Sequence, residues 1–489
     1  MKRIVTLLLA LVLLLSTISF AGAKFKDDLL FKDKYRYAID YMAEKGIIGG
    51  FPDGTFSPRG TLTRAQAAKI LCVMLEGAEK ADALTKTDTG FSDVPATHWA
   101  AKYVAYCAEK GIVAGVGDGK FDPDGKLSGA AFGKMLLVAY GEDPAKFTGG
   151  KWMQAVQDST KGAMLNFKLD DSTFTNRSLP REEAAQMGWD AMFHVESQKA
   201  ATQDMQSKPL AQGVPEKLKL YAIGNSFSNN CTLFYLYDML KSVGVKELTI
   251  ANLYYSGCSL QTHWKFLGEN KNNYQYYKRT DADKEFVKND GYTFDAALND
   301  DQWDIVTMQQ VPSTSFNPAK NRLMYYVQMH QPEVNFVWNM IWAHAKTSKQ
   351  SAFLKTWKGD QMHMYTGMTE SVVKNVEPDP RIRFIIPTGT AIQNARTSFL
   401  GDNLDRDGYH LNEGIGYYIA AMVWTCKITG LRPDQISYVP DDLLKNPPHN
   451  FDANTPGLQD AMVRVAKESV ANALDHPYEV TESKILSIS

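Results

Sequence analysis

The feature that most limits how this chain can fold is a repeat of fixed period near its N-terminus. Ala43-Glu44-Lys45-Gly46-Ile47-Ile48 returns as Ala108-Glu109-Lys110-Gly111-Ile112-Val113. Phe51-Pro52-Asp53-Gly54-Thr55-Phe56 returns as Val116-Gly117-Asp118-Gly119-Lys120-Phe121, and Leu62-Thr63-Arg64-Ala65-Gln66 as Leu127-Ser128-Gly129-Ala130-Ala131. Each pair is 65 positions apart, as in Lys45 to Lys110 and Leu62 to Leu127. A constant offset marks a supersecondary unit that stacks on copies of itself. The residues within each copy predict a helix stopped by Gly46 or Gly111, an Asp-Gly turn, and a second helix capped by Thr63 or Ser128. A fainter third copy runs from a helix over Trp152 to Phe167 to a capped, acidic helix start at Leu179-Pro180-Arg181-Glu182-Glu183. Its Asp-Gly turn is missing.

The chain has 489 residues, long enough for about two to four domains. It is 44% hydrophobic and 22% charged with a formal net charge of -2, so nothing points to nucleic acid or to a polybasic membrane patch. Lys2 and Arg3, the apolar run Val5 to Leu15 and the small residues Ala21-Gly22-Ala23 predict a signal peptide over 1–23, with no membrane span left after cleavage. Five scattered cysteines, with no CxxC pair, predict at least one free thiol and small core residues rather than a disulfide scaffold or thiolate metal site. No cluster has metal-ligand spacing, and no cofactor is implied.

Phe91-Ser92-Asp93-Val94, His98-Trp99-Ala100, Tyr103-Val104 and Ala108-Glu109-Lys110-Gly111 resemble the surface-layer homology (SLH) repeat. The resemblance covers about residues 31–195. It implies binding to a pyruvylated secondary polymer of the bacterial cell wall, with three repeats acting together. The family's ligand-contacting Thr-Arg-Ala-Glu stretch maps onto Thr63-Arg64-Ala65-Gln66 and, loosely, onto Pro180-Arg181-Glu182-Glu183. Arginine suits that task because its planar fork pairs bidentately with a carboxylate. The second copy has Gly129 in place of the arginine and is expected to serve structurally. The expected divisions are repeats over 24–80, 81–142 and 143–198, a polar linker over 199–216, a second domain over 217–475 and a tail over 476–489.

In the second domain, apolar runs at Leu218–Ala222, Glu247–Ala251, Trp303–Met308, Val334–Trp338 and Ile382–Ile386 alternate with helical stretches, including one from Asn230 to Ser242. That alternation predicts a parallel, doubly wound α/β sheet. Gly224-Asn225-Ser226 follows the first strand, and Asp407-Gly408-Tyr409-His410 lies near the domain's end. Serine is a weak nucleophile until a base, oriented by a carboxylate, activates it. These motifs, with Tyr255-Ser256-Gly257-Cys258-Ser259-Leu260 and Met308-Gln309-Gln310 between them, resemble the SGNH hydrolase superfamily, in a branch catalogued as a domain of unknown function.

The resemblance implies a three-layer, flavodoxin-like α/β domain. It implies Ser226 as nucleophile, His410 as base, Asp407 as its orienting carboxylate, and Ser226 and Gly257 as backbone oxyanion donors. Two departures stand out: Asn225 replaces the usual aspartate, and the usual oxyanion asparagine is absent. Gln309, or else Gln310, is expected to take the missing donor's place. His263, His344 and His363 are the other possible bases, and Trp338, Trp342 and Tyr365 form either a sugar-stacking wall or core. The expected function is a wall-anchored serine esterase acting on an acylated glycan. The alternative is a wall-bound glycan-binding or surface-layer protein without catalysis.

Overall fold

The computed structural model describes residues 25–162, 177–203, 213–310 and 319–488. The expected signal peptide, the turn region of the third repeat and the middle half of the linker lie outside the described residues. The chain divides into two compact units, one reaching to Lys199 and including Lys265–Asn270, the other made of Ala200–Trp264 and Lys271–Ser489.

The first unit holds three helix pairs: α1 (Asp33–Glu44) with α2 (Arg64–Glu76), α3 (Ala101–Glu109) with α4 (Gly129–Ala139), and α5 (Trp152–Gly162) with α6 (Arg181–Ala200). A closed ring of backbone hydrogen bonds relates them. Leu62 donates its N–H to the Leu179 carbonyl (3.0 Å), Leu179 to Leu127 (2.7 Å) and Leu127 to Leu62 (3.1 Å). All three leucine side chains are buried, so one apolar position per copy sits at the centre. The fainter third copy thus completes a threefold arrangement.

Each second helix starts just after its ring leucine. Thr63 caps α2 in a reciprocal capping box with Gln66, and Ser128 caps α4 by accepting the Ala131 N–H. Other orphan N–H groups of these helix starts find carbonyls on a neighbouring copy. Arg64 and Ala65 donate to Gly125 and Pro123, while Arg181 and Glu182 donate to Gly60 and Pro58.

The second unit is built on a seven-stranded sheet in the order β4-β3-β2-β1-β5-β6-β7. Its strands are β1 (Lys217–Gly224), β2 (Glu247–Tyr254), β3 (Tyr274–Arg279), β4 (Val287–Tyr292), β5 (Ile305–Met308), β6 (Asn335–Asn339) and β7 (Ile382–Ile386). The five strands expected from apolar runs are present and mutually parallel. The sheet is nevertheless mixed, because β3 and β4 extend it antiparallel beyond β2. Tyr-Gln-Tyr-Tyr-Lys-Arg and Val-Lys-Asn-Asp-Gly-Tyr carry too little apolar pattern to announce themselves, and β4 is largely exposed.

Strand order reverses between β1 and β5, where open parallel sheets leave a crevice at their carboxyl ends. The helix expected from Asn230 begins earlier, at α7 (Ser226–Thr232), because Asn225 caps it, and a separate helix follows at Leu236–Ser242. Helices α8 (Ala319–His330), α9 (Ile415–Thr429) and α10 (Leu458–Asp475) complete the elements used below. α9 is buried along nearly its whole length. Leu458, Met462 and Val465 of α10 join the same hydrophobic core, which is the packing role expected of the C-terminal helical run. All five cysteines are free and buried.

Candidate active site

β1, buried over nearly its whole length, carries the chain to the sheet's carboxyl edge, where it turns through Asn225 into Ser226. Asn225 Oδ1 accepts the Phe227 N–H at 3.0 Å, and Asn225 Nδ2 donates to the Cys258 carbonyl at 2.9 Å. Gly224 is needed before it. A Cβ there would lie 2.5 Å from Ser228 Oγ and 3.2 Å from the Gln309 carboxamide carbon.

Asp407 and His410 come from a loop pinned on several sides. Ala345 N–H donates to the Gly408 carbonyl at 2.9 Å, Trp342 Nε1–H to the Tyr409 carbonyl at 2.7 Å, and Gly408 N–H to Asp405 at 2.7 Å. Gly408 has φ +89°, and a Cβ on it would meet Ser348 Cα at 3.0 Å, so both backbone and space require glycine.

The Asp407 carboxylate takes His410 Nδ1 at 2.6 Å and the backbone N–H groups of His410 (2.8 Å) and Tyr409 (3.2 Å). Burial alone would raise the Asp407 pKa, but the hydrogen bonds from His410 outweigh it and hold the carboxyl below its ordinary value. With Nδ1–H given to the carboxylate, Nε2 is the free base of the ring. It is buried and has no hydrogen-bond partner among the described residues.

Ser226 and His410 line one open cleft of about 450 Å³, together with Asn229, Asn230 and Arg406. Asn230 ties the two halves: its Oδ1 accepts the Leu411 N–H at 3.0 Å, and its Nδ2 reaches the Tyr417 hydroxyl at 3.3 Å. The serine, base and carboxylate expected from sequence are therefore brought to one place.

The expected oxyanion residues are not placed there in the same way. Gln309 Nε2 donates to Asn225 Oδ1 at 2.7 Å, and its Oε1 accepts from Asn339 at 3.3 Å. Gln310 Nε2 donates to Gln261 at 3.1 Å, and its Oε1 accepts the Leu260 N–H at 3.2 Å. Neither glutamine lines the cleft. Gln309 braces the cap of the Ser226 helix instead, since packing against Gly224 aims it at Asn225. Gly257 sits in an exposed turn with φ +63° and does not line the cleft either.

The other candidates are structural. His263 is buried against Tyr274, and burial pushes its pKa down to about 3. Burial and the Arg396 charge push His344 down to about 4. His363 packs edge-on against Trp357. Trp338, Trp342 and Tyr365 are buried core. Among the described residues no group of His, Cys, Asp or Glu is placed to hold a metal ion, and no helix is long and apolar enough to cross a membrane.

Residues 219–449 match the family described as a domain of unknown function, DUF4886, and residues 24–68 and 90–132 match the S-layer homology domain. The chain carries an S-layer homology domain followed by a DUF4886 domain. An S-layer protein of Bacillus licheniformis is 30% identical over 38% of this chain and 22% of its own length. An uncharacterized cell wall amidase of Bacillus anthracis is 28% identical over 30% of this chain and 29% of its own. This chain therefore spans under a third of either relative. A crystal structure of a DUF4886 family protein from Bacteroides uniformis aligns with TM-score 0.49 and 32% identity, over 55% of this chain and all of that one. The SLH match and the S-layer relatives make this a cell-surface protein associated with the S-layer or cell wall.

In the SLH region, Thr63, Arg64 and Arg181 all have structural partners. Thr63 is spent as a cap. Arg64 donates to the Phe121 (2.7 Å) and Ala114 (2.6 Å) carbonyls and lies over the Phe121 ring. Arg181 does the same to another copy, donating to Phe56 (2.9 Å) and Gly49 (2.5 Å) and lying over the Phe51 and Phe56 rings. Burial pushes its pKa down to about 10. Each arginine thus braces the Asp-Gly turn of a neighbouring repeat. The second copy carries Gly129 where the other two carry an arginine.

In the DUF4886 domain, the cleft has aromatic walls that the sequence did not disclose. Phe234 stacks on Tyr417 with ring centroids 4.0 Å apart, and Tyr254 meets Tyr277 edge-on at 6.4 Å. Arg406 is fixed beside them by Glu413 (2.7 Å) and the Tyr417 hydroxyl (2.6 Å). These residues come from separate segments, so no local pattern could have grouped them. Asn229 and Asn230 did leave a signal, as an asparagine pair one helical turn after Ser226.

Proposed function

We propose that this chain is an exported, wall-anchored serine esterase of the SGNH type that removes acetyl or similar acyl groups from carbohydrate. The observation that carries this reading is His410. Its Nδ1 is fixed on Asp407 while its Nε2 is buried and unbonded beside the cleft it shares with Ser226. Ser226 Oγ attacks the ester carbonyl as His410 takes its proton; His410 then protonates the leaving alcohol and activates the water that frees the acyl group. The aromatic walls suit the apolar faces of a sugar ring. One relative is named a cell wall amidase, and amide and ester cleavage share a tetrahedral intermediate. The SLH repeats hold the protein to a secondary cell-wall polymer.

The test is p-nitrophenyl acetate hydrolysis by the full chain beside Ser226→Ala. Turnover in the parent and its loss in the variant are expected; equal turnover in both sinks the assignment. The engagement of Gln309 and Gln310 favours a second reading, a wall-bound glycan-binding protein without catalysis. That reading expects no covalent labelling of Ser226 by a fluorophosphonate.

A further inference from the structure

A tetrahedral oxyanion needs donors placed before the reaction, and a side-chain carboxamide is a strong one. Both glutamines expected in that role have their amide groups engaged away from the cleft. Asn229 lines it. It stands three residues after Ser226 on α7, so the two side chains share one helix face, and the tilt of Cα–Cβ bonds aims Asn229 back toward the helix start.

Asn229 is also held in place. Its Oδ1 accepts a hydrogen bond from Nδ2 of Asn252, a fully buried residue of β2. Its Nδ2 makes no hydrogen bond among the described residues. Asn230, its neighbour, is tied at both ends, its Oδ1 accepting the Leu411 N–H and its Nδ2 giving one hydrogen to the Tyr417 hydroxyl.

We propose that Asn229 is the side-chain oxyanion donor of this site. The inference rests on the serine-esterase reading. As Ser226 Oγ bonds to the carbonyl carbon, its proton passes to His410 Nε2 and the carbonyl electron pair moves onto oxygen. The Asn229 Nδ2–H and the Ser226 backbone N–H hold that charge. The pair then re-forms the carbonyl, and the alcohol leaves with the proton from His410.

The test compares kcat and KM for p-nitrophenyl acetate in the full chain and in Ser226→Ala, Asn229→Ala, Asn229→Asp and Gln310→Ala, with a thermal melt of each. Aspartate keeps the shape of Asn229 and the acceptor for Asn252 while removing the donor, so the test survives a folding defect in the alanine variant. Both Asn229 variants are expected to lose kcat by about 100-fold or more, with KM and the Gln310→Ala rate each within about threefold of the parent. A folded Asn229→Asp whose kcat stays within about threefold, or whose loss lies in KM alone, overturns the proposal. So does a loss of about 100-fold in Gln310→Ala. A folded parent without turnover overturns the esterase reading and this one with it. Activity that Ser226→Ala abolishes and Asn229→Asp retains overturns only this one.

Discussion

At the residue scale, the convergence of Ser226, His410 and Asp407 was legible because each stands in a short motif. Their supports were not. Gln309 reads in sequence as a donor to substrate, yet Asn225 takes its amide hydrogen, because glycine at 224 lets the glutamine approach the turn before Ser226. Asp407 can be tested directly. In Asp407→Asn the amide group offers a hydrogen to Nδ1 and favours the wrong tautomer of His410. We expect kcat for p-nitrophenyl acetate to fall by about 10²–10⁴-fold. The side chain is 40% exposed, so the melting temperature should change little. A kcat near the parent's shows that His410 does not depend on Asp407.

At the element scale, strands were legible where burial on both faces forces an apolar run. The edge hairpin β3–β4 was hidden because one of its strands faces water along most of its length. The third repeat was legible as a first helix from Trp152 and a capped helix start near Arg181, and the ring through Leu62, Leu127 and Leu179 identifies it in space. A buried ionic knot ties elements of the second unit together. Asp379 takes Lys320 Nζ of α8 at 2.7 Å and Arg381, just before β7, at 2.9 and 2.8 Å. Burial alone would raise the Asp379 pKa, but Arg381 and Lys320 outweigh it and the net shift is downward. A carboxyl with a lowered folded pKa adds stability above its unfolded value near 3.9, and that stability is lost as pH falls through the folded value. Asp379→Asn should therefore cost about 3–5 kcal/mol at neutral pH, since it leaves two buried cations short of their partner. Denaturant melts at several pH values should show the gap constant down to about pH 5 and narrowing below about pH 4. A gap independent of pH means the carboxylate charge is not what matters.

At the scale of the whole molecule, two kinds of chemistry share one chain, and the sequence separated them because a 65-residue period gives way to alternating strands and helices. What sequence could not show is how Arg64 and Arg181 are used, since their partners lie on another copy of the repeat. Under the proposed function, joining a wall-binding unit to an esterase turns the second encounter with the wall into an intramolecular one, with an effective concentration that reaches the millimolar range. The proposed function then makes a prediction that neither unit makes alone. The parent and Ser226→Ala should pellet equally with purified wall sacculi, because catalysis takes no part in holding. An excess of soluble wall polymer free of acyl esters should release the parent into solution, leave its turnover of p-nitrophenyl acetate unchanged, and slow acetate release from the sacculi by about tenfold or more. Acetate release indifferent to detachment means the two units do not work together. A parent that never pellets removes the wall-binding reading, whatever its esterase activity.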